Sequence, residues 1–346
     1  MTGRVVLMDR LGEREVAALL VDGRIEEIAI DSETSELVPG AICRVVANRP
    51  VKGQGGIFVR LPGGESGFLR QISGIAPGQR LIVQVSGPAE EGKAVPVTTR
   101  LLFKSRYVIF TPGAPGVNIS RQIRDEETRE ALEALAGEGM AGADPTLGLI
   151  LRSSCSEAES GDIADDLRNM RDLAEAVLAD LNGEPELLLD APGAHDLAWR
   201  DWVDPAPEEV RDEAGCFDDE GVSDQLDELL LPRVGLPGGG HMQIEPTRAL
   251  IAIDINTGPD TSPAAALKVN IAAARELPRQ LRLRGLGGQI VIDFAPMPKR
   301  DRNILEQVIR AAFKSGGEST LSGWTGLGLY ELTRRRDRLA LSRLWT

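Results

Sequence analysis

The chain has 346 residues, of which 42% are hydrophobic and 27% charged, and a formal net charge of −14. This composition suits a soluble globular protein of two or three compact units and excludes collagen-like, coiled-coil and wholly disordered chains. Apolar runs such as Ala249 to Ile253 and Ile290 to Ile292 fall far short of the ~18 to 20 residues that cross a bilayer, so no membrane partner is expected.

Met1 to Arg10 has no apolar run behind a basic start, so no secretory signal is expected and the cytoplasm is the expected compartment. The three cysteines, Cys43, Cys155 and Cys216, are odd in number, widely spaced and never in a C-x-x-C pair, which argues against a disulfide framework or a thiolate zinc site. Charge is unevenly spread. Residues 121–240 hold 9 basic and 31 acidic side chains, a net of −22, and the remainder of the chain carries +8. Counterion release depends on the local basic surface that meets phosphate, so a polyanion remains an admissible partner at either flank.

In chain order, Arg4 to Met8, Glu15 to Val21 and Arg24 to Ile30 read as strands, with Asp22-Gly23 as a hairpin turn. From Val38 to Thr99 short apolar runs punctuated by glycine, at Ala41 to Ala47, Gly56 to Leu61, Gly67 to Leu69 and Arg80 to Val85, predict a small closed barrel of the OB type. Next come a strand at Arg106 to Phe110, a helix at Asp125 to Ala136, a strand at Gly148 to Arg152 and a helix at Glu157 to Leu181. In that last helix Ile163, Leu167, Met170, Leu173, Val177 and Leu181 form a core-facing stripe. Residues 191–224, with their prolines and the acids Asp218, Asp219 and Glu220, read as a loop or tether. The last third alternates: strand Ala249 to Ile255, helix Pro263 to Arg284, strand Gln289 to Phe294, helix Asp301 to Phe313. This order implies parallel strands joined by a right-handed crossover. Ser262 and Pro263 suit a helix start, and Pro278 is expected to kink or break that helix.

Period two in Leu250 to Asn256 puts Asp254 and Asn256 on one face, and the following strand ends in Asp293. Two carboxylates with no nearby histidine or thiolate form a hard-oxygen site suited to magnesium, with manganese the alternative. Acids at strand ends also serve simply as caps for the next turn, but the pairing with Asn256 and a basic helix expected beside the two acids tips the balance to a metal site. Arg275, Arg279 and Arg282 share one side of the intervening helix, with Arg284 at its exit; they would grip a phosphodiester backbone or else form an ordinary solvated face. Gly285, Gly287 and Gly288 lack the context of a nucleotide-binding loop.

The segments A-L-I-A-I-D-I-N (249–256), A-A-A-R-E-L-P-R-Q-L-R-L-R-G-L-G-G (272–288) and I-V-I-D-F (290–294) closely resemble the catalytic subdomain of the ribonuclease E/G endonucleases. The resemblance implies that Asp254 and Asp293 hold a catalytic magnesium ion and that Asn256 helps orient the scissile phosphate. It further implies cleavage of single-stranded RNA by metal-activated water, leaving a 5′-phosphate and a 3′-hydroxyl. The fold it implies is a multidomain α/β (α+β) chain. An abbreviated RNase H-like subdomain would occupy residues 1–35 and 191–230, an inserted OB-type RNA-binding barrel 36–100, a 5′-sensor region 101–190, and a DNase I-like catalytic subdomain 231–346.

By the same resemblance Phe58 and Phe68 fall where the family exposes rings to RNA, and Lys93 matches a basic contact. Such rings stack on bases at ~1 to 3 kcal/mol each, although spacing alone is equally met by two core phenylalanines. Gly148 to Ser154 resembles the family's 5′-end sensor, so that Arg152 and the Ser153 hydroxyl would hold a 5′-monophosphate; a surface salt bridge is the other reading of Arg152. Arg121 matches the first arginine of an I-S-R-R run, and Gln122 replaces the second.

Two departures bear on function. The cysteine pair that links protomers through zinc has no counterpart, so no structural zinc is expected and the chain is expected as a monomer or small homo-oligomer. Pro296 stands where the family commonly carries a further aspartate. The leading expectation is a magnesium-dependent endoribonuclease. The rivals are a non-catalytic RNA-binding or regulatory member of the same family and a phosphohydrolase of small phosphate esters. The two histidines, His195 and His241, sit in no nucleophile or ligand spacing.

Overall fold

The computed structural model of the chain describes residues 3–33, 37–50, 55–70, 74–314 and 319–345. Three strands open it: β1 (Arg4–Leu11), β2 (Arg14–Val21) and β3 (Arg24–Ile30). Between the last two, Asp22 (φ 51°) and Gly23 (φ 76°) are both left-handed, the conformation a two-residue hairpin needs to match strand twist. The chain forms two compact units, one of residues 3–17 and 31–211, the other containing residues 18–30 and 212–346.

In the first unit β4 (Ile42–Ala47), β5 (Gly56–Arg60), β6 (Ser66–Arg70), β7 (Arg80–Val85) and β8 (Val95–Thr98) pair in the order β4-β5-β6-β8-β7, and β7 returns to pair with β4. The five strands thus close into a barrel with only β6 and β8 parallel, consistent with the OB type. Alternate residues point inward, among them Val45, Val59, Leu69, Val83 and Val97. Gly67 is demanded by this packing, because a Cβ there would lie 2.8 Å from the Val59 side chain. Parts of the expected barrel region, 51–54 and 71–73, lie outside the described residues.

A second sheet joins β9 (Phe103–Lys104), β10 (Val108–Pro112), β11 (Gly116–Ile119) and, after helix α1 (Glu126–Gly139), β12 (Leu147–Leu151), in the order β11-β12-β10-β9. Asp125 caps α1 by accepting the Thr128 N–H. Helix α2 (Ser160–Ala179) buries Ile163, Leu167 and Val177 against Phe103, Phe110, Leu149 and Leu151. The stripe stops there: Leu181 lies past the helix end and is exposed. The chain continues through β13 (Glu186–Leu189), antiparallel to β4, then α3 (Ala194–Asp201) and β14 (Glu209–Arg211), parallel to β1.

From residue 212 the second unit continues with α4 (Cys216–Asp219) and α5 (Val222–Leu230). The loop expected over 191–224 is therefore corrected to two helices, a strand and the start of a third helix. Its acids mask buried apolar anchors, Ala194, Ala198, Trp202, Cys216, Phe217 and Val222, whose burial stabilises these short elements. A six-stranded sheet follows from β15 (Arg233–Gly235), β16 (His241–Pro246), β17 (Ile251–Asn256), α6 (Pro263–Leu283), β18 (Gly288–Asp293), α7 (Lys299–Ala312), β19 (Ser319–Trp324), β20 (Tyr330–Arg334) and a terminal turn α8 (Leu341–Leu344). Its order is β15-β16-β17-β18-β20-β19, and only the β17–β18 pair bridged by α6 is parallel. Ile251, Ile253, Ile255, Ile290 and Ile292 pack against Val269, Ala273, Leu277 and Leu281 of α6 and Leu305 and Ile309 of α7. Both helices thus cover one face, and the alternate residues of the strands point to the other.

Ser262 accepts the Ala265 N–H and Pro263 opens α6, as the sequence predicts. Pro278 does not break the helix, which runs through it. A mid-helix proline costs ~3 kcal/mol, but Leu277 and Leu281 beside it are both fully buried, and ~1.5 to 3 kcal/mol for each burial offsets that cost. At the helix end Gly285 is left-handed (φ 63°). Its N–H reaches Arg282 O and that of Leu286 reaches Leu281 O, a Schellman closure.

Candidate functional site

Register decides the geometry of the open face. Asp254 of β17 lies directly opposite Asp293 of β18, and both side chains are exposed. In-register residues on adjacent strands share a face at a strand spacing of about 4.8 Å, so the two carboxylates can meet one ion. On the other flank Gln243 of β16 lies opposite Asp254, and His241 lies opposite Asn256. Asn256 Nδ2 donates to Asp254 Oδ2 at 2.7 Å, which fixes the orientation of that carboxylate. One row further along, Glu245 is opposite Ala252 and Glu331 opposite Val291, both exposed, so the face is acidic beyond the central pair.

The donor set suits a hard divalent ion. Magnesium is held by one or two carboxylates and keeps several waters, and two exposed, in-register aspartates leave room for them. Among the described residues no group of three or more His, Cys, Asp or Glu side chains converges to form a self-sufficient cage. His241, which the sequence places on the approach to these strands, and Gln243, which sequence reasoning missed, both border the aspartate pair. The alternation of His241, Gln243 and Glu245 with buried Met242 and Ile244 was the available signal. The His241 Nδ1 atom is buried and has no hydrogen-bond partner among the described residues.

The arginines of α6 do not flank the acids, which corrects the expectation that they would. The helix lies on the opposite, apolar face. Arg279 pairs with Glu276 at 2.7 Å and Glu26 at 3.4 Å, and Arg282 pairs with Glu26 at 3.0 Å and Glu27 at 2.8 Å. These carboxylates from β3 lie some 250 positions earlier in the chain, beyond the reach of any local pattern. Arg284 is buried and donates to Gln280 Oε1 and Leu231 O.

On the barrel, Phe58 and Phe68 are cross-strand partners with ring centroids 5.1 Å apart. Both are part-exposed and alternate with the buried Ile57, Val59 and Leu69, so they lie on the outer surface and not in the core. Lys93 sits in the turn before β8, exposed and paired with Glu90 at 2.7 Å. In the neighbouring sheet β11 and β12 run parallel and end together, which brings Arg121 close to Arg152 and Ser153: Ser120 N–H donates to Leu151 O. Arg121 is exposed and has no ion pair among the described residues. Arg152 is engaged: it donates to Ser105 O and Arg200 O and pairs with Asp201 at 2.7 Å. Burial alone would raise the Asp201 carboxyl, but hydrogen bonds and charge from Arg200 and then Arg152 hold it below the usual carboxylate range. His195 is bound to backbone, its Nε2 within 2.9 Å of Asp9 O.

A closed five-stranded barrel, consistent with the OB type, and a mixed sheet with two exposed aspartates paired in register place the chain in the class of multidomain α/β proteins. Residues 103–213 and 207–337 match the model of the ribonuclease E/G family, and the chain belongs to that family. It is similar to ribonuclease E of Synechocystis sp., 31% identical over 303 residues covering 76% of this chain and 44% of that protein. It is also similar to ribonuclease G of Escherichia coli K12, at 27% over 385 aligned positions, 94% of this chain and 78% of that one. Ribonuclease E of Nostoc sp. is 28% identical, with 94% and 55% covered. The chain thus spans about half the length of the two ribonucleases E.

Proposed function

We propose that this chain is an endoribonuclease of RNA processing or decay that cleaves single-stranded RNA at a magnesium site held by Asp254 and Asp293. The observation that carries the reading is the pairing of these two exposed aspartates in register on adjacent parallel strands. Membership of the ribonuclease E/G family supports the substrate class. When bound, magnesium supplies charge stabilisation at a phosphate oxygen and a lowered pKa for attacking water. Asn256 holds Asp254 through one amide hydrogen and has a second to offer a substrate phosphate oxygen. Manganese is the alternative ion, and no structural zinc takes part in this reading.

Phe58, Phe68 and Lys93 would anchor RNA by stacking and charge. Arg121, Arg152 and Ser153 would take a 5′-terminal monophosphate. Because Arg152 must leave Asp201 to reach it, the preference for such ends is weak in this reading. Residues 1–35 with 191–230 and residues 231–346 are read as the RNase H-like and DNase I-like subdomains, in a cytoplasmic monomer or small homo-oligomer without a zinc link.

The test is cleavage of an unstructured, 5′-monophosphorylated RNA over a magnesium titration. Metal-dependent cleavage that leaves 5′-phosphate and 3′-hydroxyl ends is expected; undiminished cleavage in chelator would overturn the reading. RNA binding without cleavage at any magnesium concentration would favour a non-catalytic RNA-binding member, the reading to which the uncharged Pro296 points.

A further inference from the structure

A cleft of about 890 Å³ opens in the second unit between the β15 edge of the sheet and α6. Five guanidinium groups line it, from Arg24, Arg233, Arg275, Arg279 and Arg284, against two carboxylates, Glu228 and Glu276. Glu276 is spent on Arg24 at 3.1 Å and Arg279 at 2.7 Å. Arg233 and Arg275 are exposed and make no ion pair or side-chain hydrogen bond among the described residues. Arg284 is the most telling: it is 7% exposed, and the acceptors of its side chain are both neutral. Burial pushes its guanidinium down to about 10, the mark of a desolvated cation without a counter-charge.

We propose that this cleft is a second phosphate-binding site, on the helix-covered side of the sheet and separate from the Asp254–Asp293 face. A planar guanidinium fork matches phosphate oxygens bidentately, and an anion entering the cleft would supply the charge that Arg284 lacks. The phosphate comes either from the backbone of an RNA strand, which rests on the function proposed above, or from a small phosphorylated molecule, which does not.

The test uses the full chain and the double variant Arg233→Gln/Arg275→Gln, both exposed positions outside the candidate catalytic site. Dissociation constants are measured in chelator, where cleavage plays no part, for inorganic pyrophosphate and for an unstructured 5′-hydroxyl decaribonucleotide. Pyrophosphate binding is expected to weaken about tenfold or more in the variant, the scale of losing charge-assisted contacts. A parallel fall in RNA affinity, with a salt slope shallower by about 1 to 1.5, assigns the site to RNA backbone; unchanged RNA affinity assigns it to a small phosphate compound. Equal binding of both probes by both proteins, or no binding by the wild type, overturns the proposal. Absence of RNA cleavage by the wild-type chain in a separate assay with magnesium would sink the nuclease reading alone and leave pyrophosphate binding as the test of this site.

Discussion

Arg152 and Asp201 form an ion pair at 2.7 Å that ties two elements together and, in the proposed reading, holds the arginine back from a 5′-phosphate. The Asp201 carboxyl lies below its usual range in the fold, so its contribution to stability is present above the unfolded carboxylate value and is lost as pH falls through the lower folded value. Asp201→Asn should therefore flatten the acid limb of a pH-dependent unfolding series. The same change releases Arg152, and the ratio of cleavage rates on 5′-monophosphate against 5′-hydroxyl RNA should rise. A variant with the wild-type ratio and the wild-type acid limb would show that the pair neither stabilises the fold nor restrains the arginine. Arg152 was visible in the sequence as a phosphate ligand or a salt bridge. The structure shows it engaged by Asp201, 49 positions away, a contact that chain order does not encode.

At the scale of elements, strands with strict alternation were the most legible. Ile251, Ile253 and Ile255 against Asp254 and Asn256 predicted the buried and open faces of β17, and short glycine-bounded runs predicted the barrel. The face taken by Phe58 and Phe68 was ambiguous until strand pairing put them opposite each other on the outside. That placement predicts that Phe58→Ala and Phe68→Ala each cost about 1 to 3 kcal/mol in RNA binding while the unfolding midpoint moves little, since neither ring fills the barrel. RNA affinity equal to wild type in both variants, measured by fluorescence anisotropy, would remove the barrel from the binding surface. Less legible were α3, α4 and α5, where dense acids conceal sparse anchors such as Ala198 and Phe217. Pro278 misled for a related reason: local propensity is outweighed by the burial of the leucines around it.

For the whole molecule, the net charge of −14 is a poor guide to partners, because the acidic excess lies in residues 121–240 and the remainder is basic. What defines the proposed activity is a meeting of two residues 39 positions apart, made by the β17–α6–β18 crossover. If Asp254 and Asp293 share one ion, removing either acid should do as much damage as removing both. The decisive measurement is the cleavage rate of Asp254→Asn, Asp293→Asn and the double variant on one RNA, at saturating magnesium, with RNA affinity measured alongside. All three are expected to drop by on the order of 10²-fold or more to a common residual rate, with affinity for RNA largely retained. A single variant that cleaves at the wild-type rate, or two losses that simply add in the double variant, would contradict a shared metal centre.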